Sequence, residues 1–138
     1  MDLAFTKLSR DSGERFQRLR RDLGIEGFGL NLIVLAPRQR GRIHEHEQQE
    51  EVYFVLEGEL TLLVDGEPHV LGADDLVRVA PTVRRQLVNA GPRRVVLLAL
   101  GGSGEHDSRD GKAWESWDDD SPGRDPRDVP LPEDLPTD

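Results

Sequence analysis

The 138-residue chain contains no cysteine. This excludes disulfides, thiolate metal ligands and a cysteine nucleophile, so any metal chemistry must draw on His, Asp and Glu. There is no run of eighteen apolar residues, and no basic, apolar leader ending in a small-residue cleavage site. Neither a membrane span nor a secretory signal is therefore expected, and the reading is of a soluble, cytoplasmic protein. Also missing are a Gly-rich phosphate loop opening a helix, a nucleophile elbow and a serine placed near both a histidine and an acid. Phosphoryl transfer and serine hydrolysis are not suggested.

A surplus of positive charge is absent too. The formal net charge is −9, and it is unevenly placed: residues 1–102 hold 14 Lys and Arg against 15 Asp and Glu, whereas residues 103–138 hold 4 against 12. A nearly neutral body with an acidic tail does not attract nucleic acid or anionic membranes through bulk charge. Arg15, Arg18, Arg20 and Arg21 form the one basic cluster near the start. They read as a solvated face or a docking place for the chain's own acidic tail in preference to a phosphate-binding patch.

What is present centres on Arg42 to Leu60, RIHEHEQQEEVYFVLEGEL. Successive strand side chains point to opposite faces, so His44 and His46 share a face and aim their imidazoles at one point. Glu51 opens the next apolar run, and on a neighbouring antiparallel strand its carboxylate reaches the same point. Two imidazoles and one carboxylate with positions left open suit a non-haem iron, and zinc, manganese or nickel use similar sets. The plainer alternative is a polar strand end with two solvated histidines.

His44, His46, Glu51 and Gly58 stand at the spacing of the first motif of the cupins: HxH, three or four residues, Glu, six residues, Gly. The motif's opening glycine falls on Arg38. Residues 72–91, GADDLVRVAPTVRRQLVNAG, resemble the second motif. Aligned on Asn89, its proline position falls on Ala80 with Pro81 next to it, its glycine on Thr82 and its metal-ligating histidine on Arg85. The resemblance covers roughly residues 28–100. It implies an all-β, double-stranded β-helix (jelly-roll) barrel, a divalent metal ion (Fe, Mn, Ni or Zn) and a range of activities that includes dioxygenases, isomerases and decarboxylases. Small cupin barrels pair through their sheets, and open sheet edges are shielded well by a twin, so a homodimer is expected.

Read in order, residues 1–27 form an N-terminal extension. Phe16, Leu19 and Leu23 are spaced for one side of a helix that Ser12 caps and Gly24 ends, or else the segment is an extended strap. Residues 28–102 read as the barrel, with about eight short strands and turn signals every eight to twelve residues. Asp65-Gly66 marks a two-residue hairpin, and Glu51, Tyr53 and Val55 alternate inward. Residues 103–138 are an acidic, Pro-rich tail holding five of the nine prolines. Trp114 and Trp117, with Val129, Leu131 and Leu135, are placed to anchor it as an ordered clasp on the barrel or on a partner.

The chemistry turns on Arg85. A guanidinium stays protonated and cannot coordinate a metal. Three arrangements follow. His44, His46 and Glu51 bind a divalent metal while Arg85 holds an anionic group of the ligand, with Tyr53 lining the same pocket. Alternatively, Arg85 pairs with Glu51 and no metal binds, leaving a non-catalytic barrel that holds or senses a small anionic ligand. In the third, Arg85 leans out and Gln86 takes the histidine place. His69 is expected on the exterior, His106 in a loop and Glu50 at the surface. Which substrate is bound does not follow from these residues.

Overall fold

In the computed structural model, residues 2–102 and 110–137 are described. They form strands β1 (Phe16–Gln17), β2 (Gly29–Leu35), β3 (Ile43–His46), β4 (Glu50–Glu57), β5 (Leu60–Val64), β6 (Glu67–Leu71), β7 (Leu76–Val79), β8 (Arg85–Val88), β9 (Val95–Gly102) and β10 (Gly111–Trp114). A short helix α1 (Leu19–Leu23) and a 3₁₀ turn (Pro126–Asp128) complete the chain. The strands make two antiparallel five-stranded sheets, ordered β1-β2-β9-β4-β7 and β10-β3-β8-β5-β6. This is the jelly-roll form, in which two sheets face each other across a filled interior.

The alternation anticipated for β4 holds. Tyr53 and Val55 are buried, and they join Leu35, Leu60, Leu62, Leu87, Val95 and Leu97 in the interior between the sheets. β9 is apolar on both faces, because its outer face is covered as well. Leu19 of α1 packs there with Leu32 and Val96, and Leu8, Leu30, Leu56 and Leu98 surround them. The N-terminal extension is thus a lid on the outer face of the first sheet. Both readings of that extension apply in part: Phe16–Gln17 is extended, while residues 19–23 are helical and end at Gly24 in the left-handed conformation. Ser12 does not cap the helix. Arg18 occupies that position, and the Ser12 hydroxyl instead accepts from the Glu14 amide.

Turn chemistry fixes the strand register. Asp65 and Gly66 both have positive φ, 51° and 83°, as a two-residue hairpin joining twisted strands requires. Gly58 has φ 80°, and a Cβ there would lie 2.2 Å from the Arg94 carbonyl oxygen. Arg38 and Thr82, which stand where the resemblance expects glycines, keep left-handed φ values of 72° and 66°. The loops retain a glycine-type path without the glycine.

Among the described residues two strands lie beyond the expected eight: β1 in the N-terminal extension and β10 in the tail. β10 pairs with the edge of β3, and Trp114 is buried, donates to the Ser121 carbonyl and carries the Arg84 guanidinium 3.7 Å above its ring. Trp117 donates to Gln86 Oε1 at 3.2 Å. Beyond it, the chain runs back along the barrel. The Val129 and Glu133 carbonyls accept from Arg42 and Arg40 at 2.7 Å each, and the Leu135 amide donates to the Arg38 carbonyl at 2.8 Å. Val129 is buried, but Leu131 is exposed and anchors nothing. Among the described residues, no helix is long and apolar enough to cross a membrane.

Candidate metal centre

β3, β4 and β8 bring the site together. His44 lies opposite Arg85 across the β3–β8 pair, and Glu51 lies opposite Val79 and Gly101 on the facing sheet. The three candidate ligands converge, but across the two facing sheets and not from the paired neighbouring strands expected, because β3 and β4 belong to different sheets: His44, His46 and Glu51 each bring one donor atom to within 4.8 Å of the others, close enough to hold a metal ion. His44 Nε2 is 3.7 Å from Glu51 Oε1, and His46 Nε2 is 3.7 Å from Glu51 Oε2. Donors sharing a tetrahedral cation at about 2.0–2.2 Å stand about 3.4 Å apart, so a small inward movement closes the set.

The tautomers favour this use. His44 Nδ1 faces the Arg42 carbonyl at 3.1 Å and must carry the proton, which leaves the Nε2 lone pair turned to the centre. His46 Nδ1 is buried with no hydrogen-bond partner and lies 3.8 Å from Asp110 Oδ2. That carboxylate also accepts from the Gln48 and Gln49 amides at 3.1 and 2.9 Å, so it fixes the β3–β4 turn beside the ligand. Burial, opposed by Glu51, pushes the His46 imidazole down to about 4. It is neutral at ordinary pH, as a ligand must be.

Arg85 is the departure. Its side chain is 0% exposed; Nη2 donates to Glu51 Oε1 at 2.8 Å, Nε to the Tyr53 hydroxyl oxygen at 3.2 Å and Nη1 to the Val83 carbonyl at 2.9 Å. The Tyr53 hydroxyl in turn donates to the same Glu51 oxygen. Burial alone would raise the Glu51 carboxyl, but the pull of His44, Arg85 and His46 holds it well below the usual carboxylate range. Burial and the Glu51 charge push Tyr53 up, and Arg85 stays charged because Tyr53 and Glu51 outweigh its burial. Glu51 Oε1 is therefore occupied by two donors, while Oε2 faces His46.

Gln86 points to the opposite face, where it donates to the Gly41 carbonyl and accepts from Trp117. It does not take the histidine place. His69 is exposed and Glu50 is a surface residue 3.5 Å from Arg78; His106 lies outside the described residues. Asp110 is the residue that sequence reasoning missed. It reaches the site only through the β10–β3 pairing, and nothing in its loop-like surroundings marks it.

A cavity of about 430 Å³ opens over His46 and Glu51. One wall is made of Gly29 and Asn31 opposite Gly101 and Ala99. These small side chains leave the space that larger inward residues fill elsewhere in the barrel.

Residues 31–101, just over half of the chain, match the family model for the cupin domain, and the chain belongs to that family. Solved structures agree on the fold. A cupin protein from Bacteroides fragilis is 24% identical, with 78% of this chain and 88% of that one covered and a TM-score of 0.67. A sugar phosphate isomerase of the cupin superfamily from Silicibacter pomeroyi is 26% identical over 73% of this chain and 69% of that one, with a TM-score of 0.59. The cupin domain of an XRE family transcriptional regulator from Enterobacter cloacae is 28% identical over 64% and 94%, with a TM-score of 0.58. No curated protein matches the chain.

Proposed function

We propose that this cupin binds one divalent metal, Fe, Mn, Ni or Zn, through His44 Nε2, His46 Nε2 and Glu51 Oε2, and acts on a small anionic metabolite held in the cavity above them. The carrying observation is that His44 Nδ1 is committed to the Arg42 carbonyl, so its Nε2 lone pair is directed at the centre that His46 and Glu51 share, with the Tyr53 hydroxyl beside it at 3.4 Å. A cation bound there supplies Lewis-acid polarisation of a ligand oxygen. The chain's own residues hold Glu51 in place: Tyr53 and Arg85 fix Oε1 by hydrogen bonds, and the Arg85 charge helps to keep the carboxylate ionised. In this reading Tyr53 and Arg85 are positioning residues, and their bonds to Glu51 leave them little reach toward the ligand. The resemblance to the Silicibacter pomeroyi protein supports isomerisation as the reaction type within the range that cupins cover.

A second reading rests on the Arg85–Glu51 pair itself. A fully buried guanidinium already neutralised by Glu51 suits a metal-free barrel that binds a ligand without transforming it, and the 28% identity to a regulator's cupin domain supports that role. Metal content separates the two. The open edges β6 and β7, with Val70 and Leu76 exposed, support a homodimer in either case.

A further inference from the structure

The mouth of the cavity carries the opposite charge from the chain as a whole. Against a net charge of −9, its rim and floor bring together Arg18, Arg20, Arg21 and Arg127, with Glu51 and Asp125 as the carboxylates among the described residues. Glu51 is already neutralised by Arg85, and Asp125 holds Arg127 at 2.7 Å. Among the described residues, no acidic group lies within ion-pair distance of Arg18, Arg20 or Arg21. Concentrated positive charge at a concave opening focuses anions toward it.

This cluster is built rather than scattered. Leu19 is buried against Leu32 and Val96, which fixes α1 over the end of β2, and the arginines on either side of it are thereby turned to the opening. Arg20 is half-buried, and its Nε is buried without a hydrogen-bond partner. A buried donor left without an acceptor is costly, and a half-buried guanidinium that lines a cavity while keeping one such donor is stabilised by an anion arriving beside it. Several guanidinium groups around one opening match a dianion with many acceptor oxygens better than a single carboxylate.

We infer that Arg18, Arg20 and Arg21 form an anion subsite for a phosphoryl group, so that the ligand is a small phosphomonoester whose other end reaches His46 and Glu51. This deepens the proposed function and rests on its assignment of the cavity as the ligand site.

The test uses inorganic phosphate as probe, titrated by calorimetry into full-length, chelator-treated protein, with metal uptake measured in parallel. The expected result is one phosphate per chain, weakened about tenfold or more in R18Q/R20Q/R21Q and unchanged in the charge-matched variant K7Q/R78Q/R93Q. R18Q/R21Q changes only exposed residues and guards against misfolding caused by Arg20; it should show an intermediate loss. Glycerol phosphate should displace the probe at lower concentration than succinate. No phosphate uptake by the parent protein, an equal loss in the charge-matched variant, or preference for succinate each overturns the inference. Metal without phosphate overturns this subsite alone, whereas phosphate binding without metal overturns the metal reading and leaves the subsite standing.

Discussion

The Arg85 guanidinium donates to Glu51 Oε1 at 2.8 Å, from the strand position where the family resemblance expects a metal-ligating histidine. A cation at this centre therefore has three protein donors and a positive neighbour held off it by the carboxylate both would use. The pair decides how tightly a metal binds, and two substitutions at this one position probe it from opposite directions. Arg85→Met leaves a largely buried carboxylate without its partner and should destabilise the protein by about 3 kcal/mol, read by urea unfolding. Arg85→His supplies a fourth donor, the third nitrogen, opposite His44 and should raise zinc or nickel affinity about tenfold or more. Unchanged affinity in the histidine variant would mean that position 85 does not face the centre.

Asp110 would act on a metal bound at this centre through His46. Its carboxylate stands 3.8 Å from His46 Nδ1 and accepts the Gln48 and Gln49 amides. Asp110→Asn should lower metal affinity by about 10–100-fold, the usual effect of losing an outer partner of a ligating histidine. Thermal unfolding of the metal-free variant provides the control, because the loss in affinity should exceed anything explained by stability.

Acid should weaken the metal-free fold through His46. Its imidazole is held down at about 4, whereas the unfolded chain titrates near 6.5. Between those values the folded state binds fewer protons than the unfolded one, so stability rises with pH across that window and falls on acidification. The melting temperature should drop as pH is lowered from about 6.5 toward 4. His46→Gln should flatten that part of the profile; an identical slope in the variant would assign the effect elsewhere.

Two loops follow a glycine path with other residues. Thr82 at φ 66° is β-branched in the left-handed region, which is unfavourable for such a side chain. Thr82→Gly should stabilise by about 1 kcal/mol, relief of strain exceeding the added freedom of the unfolded chain. Gly58→Ala should do the reverse, since its Cβ would meet backbone at 2.2 Å; a loss of about 3 kcal/mol or failure to fold is expected.

The parts of this molecule that were legible in the sequence are those written in local spacing. His44 and His46 share a face because strand side chains alternate, and Gly58 and Asp65-Gly66 mark turns that the backbone then makes. The position of Arg85 followed from the second motif, and the β3–β8 register sets it opposite His44. What was not legible depends on long-range pairing. Asp110 comes beside His46 because β10 adds to the edge of β3, and Trp117 finds Gln86 only once that strand is in place. The arginines of α1 read as a solvated face or a dock for the tail. The tail does run beside them: Asp134 acts on the Arg15 charge, residues 125–127 line the same cavity as Arg18, Arg20 and Arg21, and the tail's carbonyls also engage Arg40 and Arg42.

The most direct measurement is the metal content of protein purified without a histidine tag, before and after exposure to Fe, Mn, Ni or Zn followed by desalting. The account predicts close to one equivalent per chain after loading, abolished in His44→Ala/His46→Ala. Less than about a tenth of an equivalent with every metal, from protein whose melting transition is intact, would contradict it and leave the Arg85–Glu51 pair as the floor of a metal-free binding site.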